Sequence, residues 1–365
     1  MKTCYWKLQK NGDNAAAFAE AARLVQQGEV VGFPTETVYG LGADGLNGEA
    51  VNKIFVAKGR PNDNPLILHI AELKDIEQLT TGLNANAKAL AEHFWPGPLT
   101  IIVNKSAIVP DEVSAGLPTV AVRFPSNSYA REFIRACGCP IAAPSANISG
   151  RPSPTNAQDV LEDMDGKVAG ILDGGTCGIG LESTIVDTTE ELPTILRPGG
   201  ISYEQLTELL GVVEIDKGLL DNKNFKPKAP GMKYRHYAPK ANMYLFEGEA
   251  TALLPVMTER ALRQGMKVGV LCSKLMAEKL QEQAGLEISC WGSSLEQLAN
   301  NLFYLLRDFD RTNPDVILAE GVSEQGIGLA IMNRMRKAAG HQSVLAADSK
   351  VFLKNNPQLP DFMVK

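Results

Sequence analysis

The sequence lacks the short motifs that usually mark a catalytic centre. It has no G-x-x-x-x-G-K-[ST] phosphate loop, no G-x-S-x-G elbow and no H-E-x-x-H pair. These absences exclude P-loop nucleotide hydrolases, hydrolases with a nucleophile elbow and zincin-type proteases. Histidine is also scarce, and the four residues are His69, His93, His236 and His341. A histidine-rich metal centre is therefore not expected.

Long apolar runs and paired cysteines are missing as well. No window approaches eighteen consecutive apolar residues, so no transmembrane helix is expected. The N-terminal stretch has no apolar region of the kind found in secretory signals. The six cysteines are scattered, and the spacing of the close pair Cys137 and Cys139 suits neither a zinc ribbon nor a redox site. We expect reduced thiols, a cytoplasmic location and no membrane partner.

The charge balance is acidic, with a net charge of −6 and a pI near 5.4. This balance argues against a protein whose whole surface binds nucleic acid, although it leaves a local basic patch open. Hydrophobic residues make up 44% and charged residues 21% of the chain, which is typical of a globular protein. A length of 365 residues allows two or three domains.

The first two hundred residues alternate helical and extended patterns. Apolar spacing predicts helices over residues 13–28 and 48–58. Runs rich in β-branched residues predict strands at 29–33, 66–70, 99–103, 119–124, 139–143, 169–173, 183–187 and 194–197. Many strands with few long helices favour an α+β domain around a twisted mixed sheet.

Residues 211–240 differ in composition from the flanking sequence. The stretch is rich in proline and lysine, which predicts an extended basic linker. Its basic and aromatic content suggests a lid over an anionic ligand, and the alternative is a solvated spacer. We interpret residues 1–210 as one domain, 211–240 as the linker or lid, and 241–365 as a second domain.

The second domain has a regular alternation of strands and helices. Helices are expected at 250–264, 273–283, 293–307 and near 328–338, between short apolar strands. Ser293 and Glu296 have the spacing of a capping box at the start of the third helix. The alternation predicts a doubly wound parallel sheet. Gly326-Ile327-Gly328 lacks the third glycine of a dinucleotide fingerprint, so no nucleotide site is expected there.

Lys58-Gly59-Arg60 is the most informative stretch of the first domain. Two cations this close repel each other unless an anion lies between them, although cations and glycine are also ordinary at the end of a helix. Other polar, Gly- or Pro-edged strand ends occur at 34–37, 118–123, 144–147, 182–184 and 197–200. Each has a structural explanation as a turn or a surface residue. Together their hydroxyls, amides and cations suit a polyanionic ligand.

These runs carry a family resemblance. Residues 15–205 resemble a YrdC-like domain, and the whole chain is similar to the long, two-domain form of the threonylcarbamoyl-AMP synthase family. The signature stands here as Lys58-Gly59-Arg60 followed by Ser145-Ala146-Asn147. The runs PTETVYGLG, KGRPNDNPLILH, WPGPLT, PTVAVRFP, APSAN, LESTIVD and ILRPGG occur in order. The resemblance implies a YrdC-like α+β domain, a basic linker and a C-terminal Rossmann-like α/β domain.

The resemblance also implies an activity. Enzymes of this family join L-threonine, bicarbonate and ATP into threonylcarbamoyl-adenylate and release pyrophosphate, with Mg²⁺ accompanying ATP. The product passes to a separate transferase that modifies the adenosine beside the anticodon of certain tRNAs. Whether tRNA also binds weakly to the synthase itself is left open.

Site residues follow from the resemblance position by position. Contacts with ATP are expected from Lys58, Asn62, Thr119, Ser145, Ser153, Arg197 and Tyr237. Threonine is expected among Thr35, His69, Arg123, Ala143 (through its backbone) and Ser183. The residues expected at the reacting groups are Lys58, Arg60, Ser145 and Asn147, and no protein ligand for the metal is expected. For His69 the alternative is a core residue in an apolar strand.

Two other functions are alternatives to this one. A non-catalytic RNA-binding protein would use the basic concave face of a YrdC-like domain, but the acidic pI and the lack of RNA motifs count against it. The carbamoyl-transfer enzyme of hydrogenase maturation contains a similar domain. It would require upstream C-x-x-C pairs, which this sequence does not have.

Overall fold

The computed structural model describes residues 2–219, 237–280, 283–345 and 361–364. The chain divides into two compact units. The N-terminal unit contains Met1–Ser149 and Ser153–Tyr234, and the C-terminal unit contains Gly150–Pro152 and Arg235–Lys365. A short segment inside the N-terminal sequence thus belongs to the C-terminal unit.

The N-terminal unit is built on an 11-stranded mixed sheet. Its strands are β1 Cys4–Lys7, β2 Val31–Phe33, β3 Gly40–Asp44, β4 Ile67–His69, β5 Leu99–Asn104, β6 Thr119–Arg123, β7 Ile141–Ala143, β8 Gly170–Asp173, β9 Thr184–Asp187, β10 Thr194–Arg197 and β11 Glu214–Ile215. The order across the sheet is β1-β8-β2-β3-β7-β4-β6-β5-β9-β10-β11. The predicted α+β class with a mixed sheet is confirmed.

Helices pack against this sheet through apolar residues. They are α1 Ala15–Gln26, α2 Gly48–Lys58, α3 Ala85–Phe94, α4 Asp111–Ser114, α5 Ser128–Cys137, α6 Ala157–Met164 and α7 Tyr203–Leu210, with 3₁₀ turns at Leu73–Ile76 and Lys217–Leu219. The largest core includes the buried face of α2 and the strands β3, β4 and β6. Its side chains are almost fully removed from water, which contributes roughly 1.5–3 kcal/mol for each large apolar residue.

The N-terminal sheet extends into the range interpreted as the linker. Thr194 and Ile195 of β10 pair in parallel with Glu214 and Ile215 of β11. Regular structure therefore continues past Gly211 as far as Leu219. Residues 220–236 of the predicted linker or lid lie outside the described residues, so the lid stays a prediction.

The C-terminal unit contains a five-stranded, all-parallel sheet. Its strands are β12 Asn242–Phe246, β13 Val268–Cys272, β14 Leu286–Cys290, β15 Val316–Glu320 and β16 Ser343–Val344. The helices are α8 Leu254–Arg263, α9 Lys274–Ala277, α10 Leu295–Thr312, α11 Gly328–Ala338 and α12 Asp361–Val364, with a 3₁₀ turn at Gly248–Leu253. Parallel pairing is confirmed, whereas the order β14-β13-β15-β12-β16 differs from the 3-2-1-4-5 order of dinucleotide-binding sheets.

Two predicted helices of this unit begin or end elsewhere. The helix expected over 273–283 is regular only to Ala277, because the next amides bond to carbonyls three residues back and tighten the turn. The predicted capping box is wrong by one residue: Ser294 is the N-cap of α10 and accepts a hydrogen bond from Gln297 N. That helix also runs past Arg307 and ends where Asn313 takes a left-handed conformation before Pro314.

Candidate active site

Helix α2 positions Lys58. The side chain of Asn47 caps its N-terminus by accepting hydrogen bonds from Glu49 N and Ala50 N. The helix ends at Lys58 because Gly59 adopts the left-handed conformation, with φ at 61° and open space where a Cβ would lie. Local sequence thus fixes the last helical residue, and the buried apolar face of α2 directs its side chain inward.

The Lys58 ammonium contacts the second signature element. Its Nζ donates hydrogen bonds to the main-chain carbonyls of Ser145 and Asn147, the latter at 2.6 Å, and approaches Asn147 Oδ1 at 3.4 Å. Ser145 Oγ donates to the same Oδ1. Lys58 is only 3% exposed, so the charge is held in a largely desolvated position. The fold brings together two motifs that are almost ninety residues apart in sequence.

Backbone hydrogen bonds of Tyr39, the residue before β3, hold two polar segments side by side. Ala146 N donates to Tyr39 O at 2.9 Å, and Tyr39 N donates to Pro154 O at 2.9 Å. In addition, Ser149 N donates to Lys58 O. The residues that follow β7 and the residues around Ser153 therefore lie on either side of Tyr39, next to the end of α2.

Ser153 lies beside a buried carboxylate. Its Oγ donates a 2.7 Å hydrogen bond to Glu182 Oε1, and both residues are buried. Glu182 immediately precedes Ser183, so this contact links the Ser153 segment to the loop that enters β9. A polar pair of this kind orients the serine hydroxyl, because a carboxylate can only accept the hydrogen bond.

Arg123 occupies the end of β6 and is bound by the segment that follows β2. Its Nη1 donates to Thr37 Oγ1 at 2.8 Å, and its Nη2 lies 2.7 Å from Glu36 Oε1 in an ion pair. Thr37 Oγ1 is in turn 2.8 Å from Thr35 Oγ1, which donates to Val38 O. Two threonine hydroxyls and a guanidinium thus form one buried cluster.

Burial and charge set the protonation states around Arg123. Burial raises the pKa of Glu36, but the positive charge of Arg123 and hydrogen bonds to the carboxylate outweigh it and leave the pKa lowered. For His69, burial and then the charge of Arg123 lower the pKa to about 3. At neutral pH Glu36 is therefore ionised and the imidazole is neutral.

His69 faces Arg123 across two paired strands. The two residues are register partners in the parallel pair β4–β6. The His69 Nδ1 lies 3.2 Å from Ile67 O, and the ring meets Phe33 edge to face with centroids 5.9 Å apart. These contacts are those of a satisfied core residue, and the position beside Arg123 is the one expected for a threonine contact. The geometry is compatible with both interpretations.

Ser183 and Arg197 form the next part of the cluster. Arg197 Nε donates to Ser183 O and its Nη2 donates to Ser183 Oγ, both at 3.0 Å. The same Oγ lies 2.7 Å from Thr100 Oγ1. Thr100 is the register partner of Arg123 in the β5–β6 pair. The strand ends of β4, β6, β5, β9 and β10 therefore present their polar side chains along one edge of the sheet.

Three other predicted site residues lie on β6 and on the loop after α2. Thr119 begins β6 and Arg123 ends it, which separates their Cα atoms by roughly 13 Å along the strand. Arg60 Nη2 donates to Asn64 O at 2.9 Å, and its guanidinium lies over the Phe55 ring, 5.7 Å from the centroid. Asn62 is exposed on the loop after α2.

Ala143 and Tyr237 complete the set of predicted residues. Ala143 is buried at the end of β7, where it pairs with Ile67. Tyr237 belongs to the C-terminal unit, where it is buried and has a positive φ of 62°.

Several polar residues of the clusters have partners that the sequence did not predict. Glu36 and Thr37 lie within the quoted run PTETVYGLG, but nothing in the run indicates that they bind Arg123. Glu182 and Thr100 were missed as partners of Ser153 and Ser183. Thr100 is a polar residue within the predicted strand 99–103 and Glu182 lies in the polar strand end 182–184, but only a three-dimensional structure gives their partners.

Metal-binding and membrane-spanning features can be stated for the part of the chain that the structure describes. Within it, no group of three or more His, Cys, Asp or Glu side chains is arranged to hold a metal ion. None of the helices in the same residues is long and apolar enough to cross a membrane.

Comparisons with known proteins give consistent matches along the chain. The Sua5/YciO/YrdC family model, described as telomere recombination, matches residues 23–199. A second model, described as the C-terminal domain of threonylcarbamoyl-AMP synthase, matches residues 201–340.

Curated relatives match over nearly their whole length. Threonylcarbamoyl-AMP synthase of Pyrococcus abyssi is 47% identical over 327 residues, which cover 89% of this chain and 94% of the relative. The enzyme of the same name from Bacillus subtilis is 47% identical over 350 residues, covering 93% and 99%. A crystal structure of P. abyssi Sua5 complexed with L-threonine has a TM-score of 0.89 and 45% identity, and covers 94% of this chain and 100% of that one.

Proposed function

This chain belongs to the threonylcarbamoyl-AMP synthase family, and we propose that it joins L-threonine, bicarbonate and ATP into L-threonylcarbamoyl-adenylate with release of pyrophosphate. The observation that carries the proposal is the contact between the two signature elements. The buried Lys58 ammonium lies against Ser145 and Asn147, with the Ser153 segment held beside them through Tyr39. Cations and hydroxyls at strand ends suit a triphosphate.

The proposed nucleotide half contains Lys58, Ser145, Ser153 and Arg197, with Asn62, Thr119 and Tyr237 as further contacts. Lys58 and Arg197 are buried cations, and two of the other side chains carry hydroxyls that are already oriented by hydrogen bonds. A lysine supplies a point charge and an arginine a planar fork, so together they can bind several phosphate oxygens. The separation of Thr119 from Arg123 suits a long ligand such as ATP.

The proposed threonine half contains Thr35, His69, Arg123, Ala143 and Ser183. Arg123 is the group that would bind the substrate carboxylate, because its guanidinium is held at a fixed orientation by Glu36 and Thr37. His69 enters as a neutral imidazole, since its pKa is lowered to about 3. Rejection of serine, which lacks one methyl group, is worth only about 1–3 kcal/mol, so some serine use is expected.

The reaction requires electrostatic stabilisation from the protein more than covalent catalysis by it. Threonine's amine and bicarbonate form a carbamate with loss of water. A carbamate oxygen then attacks the α-phosphorus of ATP while pyrophosphate leaves. Negative charge develops on the phosphoryl oxygens and on the leaving group. Buried cations that are already in place lower this barrier without reorganisation. Lys58, Arg60, Ser145 and Asn147 are the proposed groups at the reacting centre.

Magnesium is proposed to enter with ATP. The described residues provide no cluster of carboxylates that would form a protein cage for it. This donor set fits an ion held mainly by phosphate oxygens and water, which is the usual way that Mg²⁺ accompanies a nucleotide. When bound, the ion would neutralise charge on the β- and γ-phosphates.

The proposed destination of the product is a transferase that modifies tRNA in the cytoplasm. Threonylcarbamoyl-adenylate is a mixed anhydride, so it needs an acceptor that takes the threonylcarbamoyl group and releases AMP. We rank direct tRNA binding by this chain below transfer of the product to a separate enzyme, because the net charge of −6 gives little electrostatic attraction to a polyanion.

Pyrophosphate release tests the proposal. The purified chain is expected to form pyrophosphate from ATP and Mg²⁺ only when threonine and bicarbonate are both present. Reactions lacking either substrate are the controls, and serine in place of threonine should give a slow reaction. A protein that forms no pyrophosphate but binds RNA in a strongly salt-dependent way would instead be the RNA-binding alternative.

A further inference from the structure

A row of register partners crosses four neighbouring strands of the N-terminal unit. In order along the row, the partners are Arg123 of β6, Thr100 of β5, Ile185 of β9 and Arg197 of β10. The row thus begins and ends with a buried arginine. Three strand spacings of about 4.8 Å place the backbones of the two arginines roughly 14 Å apart. The polar side chains between them are therefore available to a ligand that both arginines bind.

Two hydroxyls lie between the arginines and contact each other. Thr100 Oγ1 is 2.7 Å from Ser183 Oγ, and both residues are buried. Arg197 Nη2 donates to the same Ser183 Oγ at 3.0 Å. A hydroxyl has one donor and two acceptor positions. Among the described residues, Arg197 and Thr100 take two of these three positions of Ser183 Oγ, which leaves one for a ligand.

A β-bulge sets the direction of Arg197. The pairing of β10 with β9 shifts between Ile195 and Arg197, and such bulges re-aim side chains. Arg197 donates to the main-chain and side-chain oxygens of Ser183, which are neutral, whereas Arg123 lies against the carboxylate of Glu36. The contacts with Ser183 thus orient the Arg197 guanidinium without neutralising its charge. An anion next to Ser183 would receive charge-assisted hydrogen bonds from it.

We propose that Thr100, Ser183 and Arg197 form the site where bicarbonate binds and becomes the carbamate of threonine. This inference rests on the proposed function, in which Arg123 and Ser183 contact threonine and Arg197 contacts ATP. In the product, a single carbon joins the threonine nitrogen to an oxygen of the α-phosphate. Bicarbonate must therefore lie where the two halves of the site meet. Ser183 of the threonine half and Arg197 of the nucleotide half are hydrogen-bonded to each other, and all of these residues belong to the N-terminal unit.

The chemistry of carbamate formation suits this cluster. The unprotonated threonine nitrogen forms a bond to the carbon of bicarbonate, one carbon–oxygen bond breaks, and hydroxide leaves as water with a proton from the nitrogen. The negative charge of bicarbonate stays on the carbamate, so one cation serves both anions. Ser183 donates to the anion and accepts from Arg197 and Thr100, which uses all three positions of its hydroxyl. Thr100 is the positioning residue, because its hydroxyl acts on the anion only through Ser183.

Bicarbonate kinetics of two variants test this inference. Thr100→Val keeps the shape of the side chain and removes the hydroxyl that orients Ser183. With saturating ATP and threonine in buffer freed of CO₂, its KM for bicarbonate should rise roughly 2- to 12-fold, as expected for loss of a neutral hydrogen bond. Ser183→Ala should raise KM for bicarbonate roughly 10- to 150-fold, because it removes a hydrogen bond to an anion. In Thr100→Val, KM for threonine and KM for ATP should stay near their wild-type values.

Thr188→Val is the matched control, because Thr188 is also buried and its hydroxyl donates to Ile102 O beyond the other end of β9. Thermal unfolding identifies the variants that remain folded. An unchanged KM for bicarbonate in either folded variant would overturn the inference. So would an equal rise in Thr188→Val, or a rise in KM for threonine in Thr100→Val that matches the rise for bicarbonate. If the wild-type chain itself formed no pyrophosphate, the proposed function would fail, a result distinct from unchanged bicarbonate kinetics in variants of an active enzyme.

Discussion

Lys58 and Arg123 are two buried cations of the same unit, and they are held by different kinds of partner. Arg123 lies against the carboxylate of Glu36 and the hydroxyl of Thr37. Lys58 lies against the main-chain carbonyls of Ser145 and Asn147. Both residues are 3% exposed, so the difference lies in the partners and not in the degree of burial.

The difference predicts how each position responds to change. Side-chain partners of Arg123 can be altered by substitution or by pH, and the orientation of its guanidinium depends on them. Carbonyl partners of Lys58 persist whatever side chain is substituted at 145 or 147, because they belong to the backbone. Substitutions of neighbouring side chains should therefore change substrate binding in the proposed threonine half. Binding in the proposed nucleotide half should depend mainly on Lys58 itself.

Removal of the Lys58 ammonium is expected to have the largest effect. In Lys58→Ala, bicarbonate-dependent pyrophosphate release should fall by about 10²–10³-fold or more, because a cation at the reacting phosphates is lost. Stability should fall by about 1–3 kcal/mol, since two buried carbonyls lose a donor. Lys53→Ala on the exposed side of the same helix is the control. Near-normal turnover in a folded Lys58→Ala enzyme would remove Lys58 from the proposed centre.

Arg123→Lys should give the next largest effect and one that is specific to threonine. The ammonium cannot reproduce the fork that binds Glu36 and Thr37, nor bind a carboxylate through two hydrogen bonds. Loss of one charged hydrogen bond costs about 1.5–3 kcal/mol, so KM for threonine should rise roughly 10- to 150-fold. KM for ATP should change little. Arg135→Lys, exposed on α5, is the control, and equal losses for both substrates would contradict separate halves.

Ser153→Ala is expected to have a moderate effect that falls on ATP. The substitution removes the hydroxyl that donates to Glu182 and one proposed ATP contact. A neutral hydrogen bond contributes about 0.5–1.5 kcal/mol, which corresponds to a rise of roughly 2- to 12-fold in KM for ATP. Initial rates at varied ATP measure it. A rise in KM for threonine alone would instead assign Ser153 to the proposed threonine half.

The state of His69 should have the smallest effect on activity at neutral pH, but a clear effect on the free energy of unfolding in acid. Because the pKa of buried His69 is about 3 when folded against 6.5 normally, the unfolded chain binds a proton that the folded one excludes. Stability should therefore fall as pH drops from 6.5 towards 3, by about 1.4 kcal/mol per pH unit from this group. His69→Gln should reduce that slope in urea titrations, with exposed His93→Gln as the matched control. An unchanged slope would contradict a neutral His69.

Local signals in the sequence predicted much of the fold. The bounds of α2 agree with its apolar spacing and its terminal glycine, and the parallel pairing of the C-terminal strands follows from their alternation with helices. The N-cap of α10 was predicted one residue early, because two adjacent serines offer the same cap. Periodicity also carried no information about strand order, which is set by packing between distant segments.

The sequence predicted which residues belong to the candidate site, but it did not predict which of them contact one another. Motif order identified Lys58 and Ser145, but the ion pair between Glu36 and Arg123 and the hydrogen bonds from Arg307 to Pro152 join residues 86 or more positions apart. Neither the spacing of such residues in the sequence nor their type identifies them as partners. The same holds for Gly150–Pro152, whose inclusion in the C-terminal unit leaves no mark in composition.

The reaction itself is tested most directly by the mass of its product. The chain is incubated with ATP, Mg²⁺, threonine and ¹³C-bicarbonate. The nucleotides are then separated rapidly and their masses are measured by mass spectrometry. The account predicts an adenylate that contains threonine and the labelled carbon, formed together with pyrophosphate. AMP, ADP or threonyl-adenylate without the label as the only products would contradict it.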